Sequence, residues 1–314
     1  MARFRVVVSD QVFPSIDVER EILARIDAEL VVADGTADGL AQLGGEADGV
    51  LNTYLPIDAA LVARLSRCRI IARYGIGIDN IDVPAAANAG ITVTNVPDYS
   101  VEEVAAHTLA LILAVVRRLP EADRKVRGGG WGLDGLRPIR RVSGLAFGLV
   151  GFGRIGQKVA LGIEALGGRV VLYDPYLTER PGIPPLVSLD ELVSTSDVIS
   201  VHAPLTPETR NLFDAARIAS MPPGSILVNT SRGGLVVLDA VLDALRAGHL
   251  AGAALDVFER EPVDAGRLAD VPNLLVTPHM AYYSEQSIAE SQRKAATQVV
   301  KVLTGEPPDY PIKP

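Results

Sequence analysis

Short runs of β-branched residues alternate, from Phe4 onward, with stretches whose apolar positions recur every third or fourth residue. That rhythm predicts parallel strands joined by covering helices, an α/β architecture. In the first hundred residues "FRVVV" and "DGVL" read as strands, and "RIIARY" and "ITVTN" carry the pattern to about residue 96. Between the first two strands, Val18, Ile22, Ile26 and Leu30 keep helical spacing, which predicts one helix across all four.

The stretch "SVEEVAAHTLALILAVVRRL" (100–119) predicts a long helix. Ser100 and Glu103 have capping-box spacing, and Val101, Val104, Thr108, Leu111, Val115 and Leu119 form one apolar face. Residues 120–142 have little periodicity and much Gly, Pro and Arg, so they read as an irregular arm in which Trp131 and Leu133 pack on something. A second α/β run starts at "LAFGLVGFGRIG" and passes through "RVVLYD", "DVISVHA", "SILVNTSR", "AALDVF" and "NLLVTP". A polar-faced helix over 284–305 ends at Gly305.

With 314 residues the chain exceeds the size at which a single core usually stops growing, so two domains are expected. A net charge of -8 and cationic runs no longer than Arg117-Arg118 and Arg140-Arg141 argue against nucleic acid as a partner. The apolar run 108–116 is too short to span a bilayer, which argues against a membrane. A single cysteine, Cys68, excludes an internal disulfide and a multi-thiolate metal site. Together with an amino terminus lacking a long apolar run, it points to a reducing cytoplasm.

The candidate chemistry begins at Gly151, Gly153 and Gly156. They stand in G-x-G-x-x-G spacing directly after a buried-type strand and at the start of a helical pattern. Such glycines allow a tight turn, backbone approach to a pyrophosphate, and close helix–strand packing. Asp174 ends the next strand, 18 residues after Gly156, where a carboxylate binds ribose hydroxyls and repels a 2′-phosphate. No cation adjoins it, so NAD is favoured over NADP.

Three further residues follow predicted strands of this second run: Arg232, Glu261 and His279. A lone histidine serves packing as readily as catalysis, so the neighbours decide. Reduction of a 2-oxo acid by hydride needs a cation for the carboxylate and carbonyl, and an acid for the new alkoxide. Arg232 suits the first task and His279 the second. A carboxylate on the far ring nitrogen favours imidazolium, and Glu261 could provide it.

These residues lie in "RYGIGIDNID", "NVPDYSVEEVAAHTLALIL", "GLVGFGRIGQKVA", "YDP", "HAPLTPETR", "LVNTSRGGLV", "GAALDVFEREP" and "TPH". In that order they resemble the D-isomer-specific 2-hydroxyacid dehydrogenase family, from about residue 45 to 305. The resemblance implies two Rossmann-like or flavodoxin-like domains with parallel sheets: a discontinuous substrate domain, 1–99 plus 281–314, and an NAD-binding domain, 100–280. It implies Arg232, Glu261 and His279 as catalytic residues. It also implies substrate binding by Arg73, Tyr74, Gly75, Ile76, Gly77 and Tyr282, with carboxylate cradled by the backbone at Ile76 and Gly77. Cofactor contacts are implied for the glycine loop with Arg154 and Ile155, for Asp174, His202, Ala203 and Pro204, and for Thr230, Ser231, Asp256 and Thr108. Residues 120–142 would be the arm of a homodimer.

Within the family, "RYGIGIDNID" and "HMAYYSEQS" look most like the C-terminal-binding corepressors and their bacterial relatives, in which a tryptophan usually stands at the position of Tyr282. An NAD(H)-sensing interaction protein is therefore the alternative to an enzyme, and it is expected to be the weaker reading because those corepressors extend well past the dehydrogenase core. Glu261 argues against the related formate oxidation, Ile76 against phosphite oxidation, and the length against an appended regulatory domain. Asn52, Tyr54, Leu55, Arg73 and Tyr282 are candidates for substrate selection without naming one 2-oxo acid. Arg73 would meet a second anionic group or pair with a carboxylate such as Asp79.

Overall fold

A computed structural model describes residues 3–313. The chain forms two compact units, Met1–Ser100 with Ser284–Pro314, and Val101–Tyr283. The first unit begins with β1 (Phe4–Val8), α1 (Asp17–Ala24), β2 (Ala28–Val32), α2 (Ala37–Gly44), β3 (Gly49–Asn52), α3 (Ala59–Val62), β4 (Ile70–Arg73), α4 (Val83–Asn88) and β5 (Thr92–Thr94). The second opens with α5 (Val101–Val116) and α6 (Leu119–Arg127), then β6 (Ala146–Val150), α7 (Arg154–Ala165), β7 (Arg169–Tyr173), α8 (Leu189–Thr195) and β8 (Val198–Val201). It continues through α9 (Ala215–Ala219), β9 (Ser225–Asn229), α10 (Leu238–Arg246), β10 (Leu250–Leu255), α11 (Ala265–Leu268) and β11 (Leu274–Val276), and α12 (Glu285–Thr304) completes the first unit.

Both sheets are parallel, in the orders β2-β1-β3-β4-β5 and β11-β10-β9-β8-β6-β7. The expected two-domain α/β fold is thus present. Parallel strands covered on both faces must be apolar on both faces. Accordingly β3, β4, β8 and β9 are buried throughout. In the first unit Leu40, Val50, Ile57 and Ile71 pack in one core cluster and Val8, Leu51, Ile70 and Val299 in another. In the second unit the two clusters centre on Phe147, Leu149 and Val228, and on Val150, Ile199 and Leu227. Among the described residues, no helix is long and apolar enough to cross a membrane.

Several local expectations are corrected. Helix α1 stops at Ala24, Asp27 turns left-handed (φ 53°), and Leu30 lies on β2, paired with Val6. Only Ile22 and Leu23 are its buried apolar residues, and the spacing of Ile26 and Leu30 was an accident of a strand following a helix. The Ser100 hydroxyl is buried without a hydrogen-bond partner, so it does not cap α5. Leu119 leaves the apolar face of α5, starts α6 and is 55% exposed. Helix α6 itself replaces part of the expected irregular arm. It has Pro120 in its first turn, Glu121 at its positive end and Arg124, Lys125 and Arg127 at its negative end, but no buried residue. Trp131 (85% exposed) and Leu133 (53%) do not find the expected packing within the chain.

Candidate functional site

In the six-stranded sheet the chain leaves β6 for β7 on one side and then places β8 on the other. Ligands of open parallel sheets gather at the carboxyl ends of strands around such a reversal. The glycine loop follows β6, and His202 follows β8. Gly151 has φ 96°, and a Cβ there would lie 2.8 Å from the His202 backbone carbonyl. A Cβ on Gly156 would lie 2.5 Å from the Gly151 carbonyl oxygen. These two glycines therefore let the loop fold onto itself and onto the strand beside it. Around Gly153 the built Cβ meets nothing within 4 Å, and α7 starts there without a side-chain cap. The first turn of α7, with exposed Arg154 and half-buried Ile155, thus begins at an open approach.

Asp174 is built into the same loop. One carboxylate oxygen accepts the Phe152 N–H (3.0 Å) and the other the Tyr176 N–H (3.0 Å). Each oxygen keeps a further lone pair, which suits a carboxylate meant for ribose hydroxyls. The residues present therefore fit a dinucleotide: a side-chain-free approach, an uncapped helix start and an anchored acceptor. His202 bonds Ser200 Oγ through Nε2 (3.0 Å), and desolvation pushes its pKa down to about 4. It is a neutral wall of this loop, with half-buried Ala203 and exposed Pro204 continuing from it.

Arg232, Glu261 and His279 follow β9, β10 and β11 of this sheet. His279 Nδ1 lies 2.7 Å from Glu261 Oε2, and the Phe258 N–H donates to Glu261 Oε1 at 2.8 Å. Half-burial opposes ionisation of Glu261. The hydrogen bonds from His279 and Phe258, with the charges of His279 and Arg232, outweigh it and hold Glu261 below the usual carboxylate range. Because that carboxylate accepts, Nδ1 must carry the hydrogen, and Nε2 is left as the atom that can exchange a proton. The Tyr282 ring stands edge-on to the imidazole, with centroids 6.1 Å apart.

Arg232 is steered by Asn229. The Asn229 amide donates to the Arg232 carbonyl (2.9 Å) and accepts the Ser231 N–H (3.0 Å), while Ser231 Oγ donates to Val201 O (3.1 Å). Arg232 Nη1 turns back on the Ser231 carbonyl (2.9 Å). Next to it, a Cβ on Gly233 would fall 1.9 Å from the Phe258 carbonyl carbon. The loops bearing Arg232 and Glu261 touch backbone to backbone there.

Two residues expected on the cofactor stand elsewhere. Thr108 and Asp256 are fully buried and have no surface to offer a ligand. Thr108 Oγ1 donates to Val104 O (2.7 Å) and meets Thr230 Oγ1 (2.7 Å), tying the loop after β9 to α5. Asp256 is bonded to Thr277 and to the amides of Met280 and Ala281. Asn229, Gly233 and Thr277 were not among the expected site residues. The glycine pair in "SRGG" was a visible signal, but its neighbour Phe258 lies on another loop.

In the first unit, Tyr74 is buried and donates to Glu19 Oε1 (2.7 Å), and its carbonyl accepts from Ser291 Oγ. The Gly75 carbonyl accepts the Val96 N–H (3.2 Å) and the Ile76 carbonyl accepts from Asn95 Nδ2 (2.7 Å). Half-buried Gly77 follows, so the loop is anchored through its acceptors. Arg73 is 9% exposed and its Nε donates to Asn80 Oδ1 (3.0 Å). Its Nη1 lies 2.0 Å from where a Gly75 Cβ would be, so the guanidinium lies across that glycine.

Residues 109–281 match the family model described as D-isomer specific 2-hydroxyacid dehydrogenase, NAD binding domain. D-3-phosphoglycerate dehydrogenase of Mycobacterium tuberculosis (strain ATCC 25618 / H37Rv) is 42% identical over 270 residues, covering 83% of this chain and 50% of that protein. The chain thus spans about half the length of the curated relatives it matches. The TT0316 protein from Thermus thermophilus superposes with a TM-score of 0.89 at 37% identity, covering 98% of this chain and 100% of that one. D-Lactate dehydrogenase from Aquifex aeolicus, solved with NAD and lactic acid, gives 0.87 at 29% identity, with 96% of each chain covered. With the glycine loop, Asp174 and the three strand-end residues in these positions, the chain belongs to the D-isomer-specific 2-hydroxyacid dehydrogenase family and carries its NAD-binding domain.

Proposed function

We propose that the protein reduces a small 2-oxo acid to the D-2-hydroxy acid, or runs the reverse, with Arg232, Glu261 and His279 as its catalytic residues. The observation that carries this reading is the 2.7 Å contact of His279 Nδ1 with Glu261 Oε2. The cofactor, when bound, supplies or accepts the hydride. In reduction the Arg232 guanidinium holds the substrate carboxylate and draws charge toward the carbonyl oxygen. His279 Nε2 gives its proton to that oxygen, and Glu261 steadies the imidazolium before transfer. In the oxidative direction Nε2 takes the hydroxyl proton instead. Asp174 favours NAD, since a 2′-phosphate would meet its negative charge. Within the first unit, Arg73 supports the Gly75–Gly77 loop.

NADH oxidation is to be followed with glyoxylate, hydroxypyruvate and its phosphate, and branched, aryl and methylthio 2-oxo acids, with His279→Ala as control. Turnover of one acid, abolished in the variant, supports the reading, and tight NADH binding without turnover of any acid overturns it. The similarities that carry the family are to proteins named as dehydrogenases, and they lend no support to a corepressor-like role.

We read the arm as the contact between two copies of the chain in a reducing cytoplasm. Val126, Trp131 and Leu133 are all more than half exposed on it. Residues 120–142 hold six Lys or Arg against three Asp or Glu, in a chain of net charge -8, so the arm complements the remainder of a second copy. Light scattering should give a dimer of the 33.2 kDa chain, and a monomer for Trp131→Asp. A monomeric parent protein would refute this.

A further inference from the structure

His279 sits in a tight turn. Its φ is 51°, in the left-handed region that few non-glycine residues enter. The His279 N–H donates to the Asp256 carbonyl (2.8 Å) and reaches the Thr277 carbonyl (3.1 Å), while the Met280 N–H donates to Asp256 Oδ1 (2.9 Å) and the Ala281 N–H to Asp256 Oδ2 (3.0 Å). Three consecutive amides thus meet a single, fully buried aspartate. Asp256 in turn takes the hydroxyl of Thr277, two residues before His279, on Oδ1 at 2.5 Å.

The Thr277 hydroxyl has one proton, and it goes to Asp256. Toward its other neighbour the oxygen can therefore only accept. That neighbour is His107 Nε2, at 3.1 Å, which must carry a hydrogen. The same nitrogen lies 3.7 Å from Asp256 Oδ1. His107 projects from α5, whose next residue, Thr108, makes the corresponding bond to Thr230 two residues before Arg232. Successive residues of one helix thus fix the loops carrying the two proposed catalytic side chains.

We propose that His107 is a positioning residue for His279, acting through the Thr277 hydroxyl and the buried Asp256 carboxylate. The proposal rests on the reading of His279 as the proton donor, because what His107 sets is the placement of Nε2. A donor lost from the start of the chain lets the Thr277 hydroxyl turn and loosens the 277–281 turn. An error of about 1 Å in a reacting group costs on the order of a hundred-fold in rate.

The test compares His107→Phe, which keeps the ring and removes the donor, with His107→Gln, which keeps a donor the same number of bonds from the backbone. Thr277→Val removes the relay hydroxyl at nearly constant volume and stands in should His107→Phe not fold. Steady-state kinetics, NADH affinity by fluorescence and amide hydrogen exchange of the 277–282 segment are measured on the full chain. His107→Phe and Thr277→Val are expected to lower kcat roughly ten-fold or more with NADH affinity kept, and to speed exchange at Met280 and Ala281. His107→Gln should recover most of both. If kcat stays within about two-fold of the parent, exchange is unchanged, or Gln performs no better than Phe, the proposal is overturned. Should the parent protein turn over no 2-oxo acid, the dehydrogenase reading fails, and the exchange data still decide whether His107 orders the turn.

Discussion

Two acidic residues meet at His279 and act on different parts of it, Asp256 through its backbone carbonyl and Glu261 through its carboxylate. Asp256 binds its backbone and those of the next two residues, and Glu261 binds its ring. Replacing Glu261 by Gln keeps an oxygen for Nδ1–H and removes only the charge. Glu261→Gln is therefore expected to lower kcat on the order of a hundred-fold while NADH affinity stays near that of the parent, as checked by steady-state kinetics and fluorescence titration. Glu261 also contributes stability through its depressed pKa. That contribution is complete above the ordinary glutamate range and is lost as pH falls through the lowered value. His202 acts in a higher window. Its folded pKa of about 4 lies below the ordinary value of roughly 6.5, so between these limits the unfolded chain binds the extra proton and stability falls with falling pH. Thermal melts from pH 8 to 5 should show a smaller loss for His202→Gln than for the parent. An imidazole resonance of His202 titrating near 6.5 would contradict it.

At the scale of elements, the glycines after β6 and β9 let backbones approach that side chains would separate. Gly233→Ala puts a methyl against the Phe258 carbonyl and must part the loops bearing Arg232 and Glu261. We expect kcat to fall by more than the change in melting temperature would indicate, read by comparing turnover with the thermal midpoint. Helix α12 shows how much of an element is local: Gly305 (φ 87°) ends it, as its sequence announces, and Ser284 and Ser287 form a capping box at its start. Ser284→Ala should cost about 1 kcal/mol in denaturant unfolding. Elsewhere local patterning misled. Helix α6 was hidden because it buries no residue and lies in a segment rich in Gly, Pro and Arg, and β2 was hidden because its Leu30 fell into step with α1.

For the whole molecule, the two units differ in how their chain is assembled. Residues Val101–Tyr283 are contiguous and contain a complete six-stranded sheet with core clusters of their own. The other unit needs both ends of the chain, since Val299 of α12 packs with Val8, Leu51 and Ile70. The segment 101–283 expressed alone is thus expected to unfold cooperatively and bind NADH, by calorimetry and fluorescence quenching. A segment 1–100 alone, without α12, should lack cooperative unfolding.

The first unit also shows why a similar sheet need not bind a nucleotide. Its strand order reverses between β1 and β3, and there the Asp10 carboxylate takes the amides of Thr53, Tyr54 and Leu55. A ligand's anion would find those donors already used.

By itself the sequence determined the α/β class, the strand-turn-helix of the glycine loop, and the residue types offered at the ends of β9, β10 and β11, because periodicity, glycine spacing and caps act over a few neighbouring residues. Only the tertiary structure decided that Glu261 meets His279, that Gly233 lies against Phe258, and that Asp256 and Thr108 are buried supports. Those are contacts between loops far apart in the chain, fixed by strand order and packing, and no local spacing encodes them.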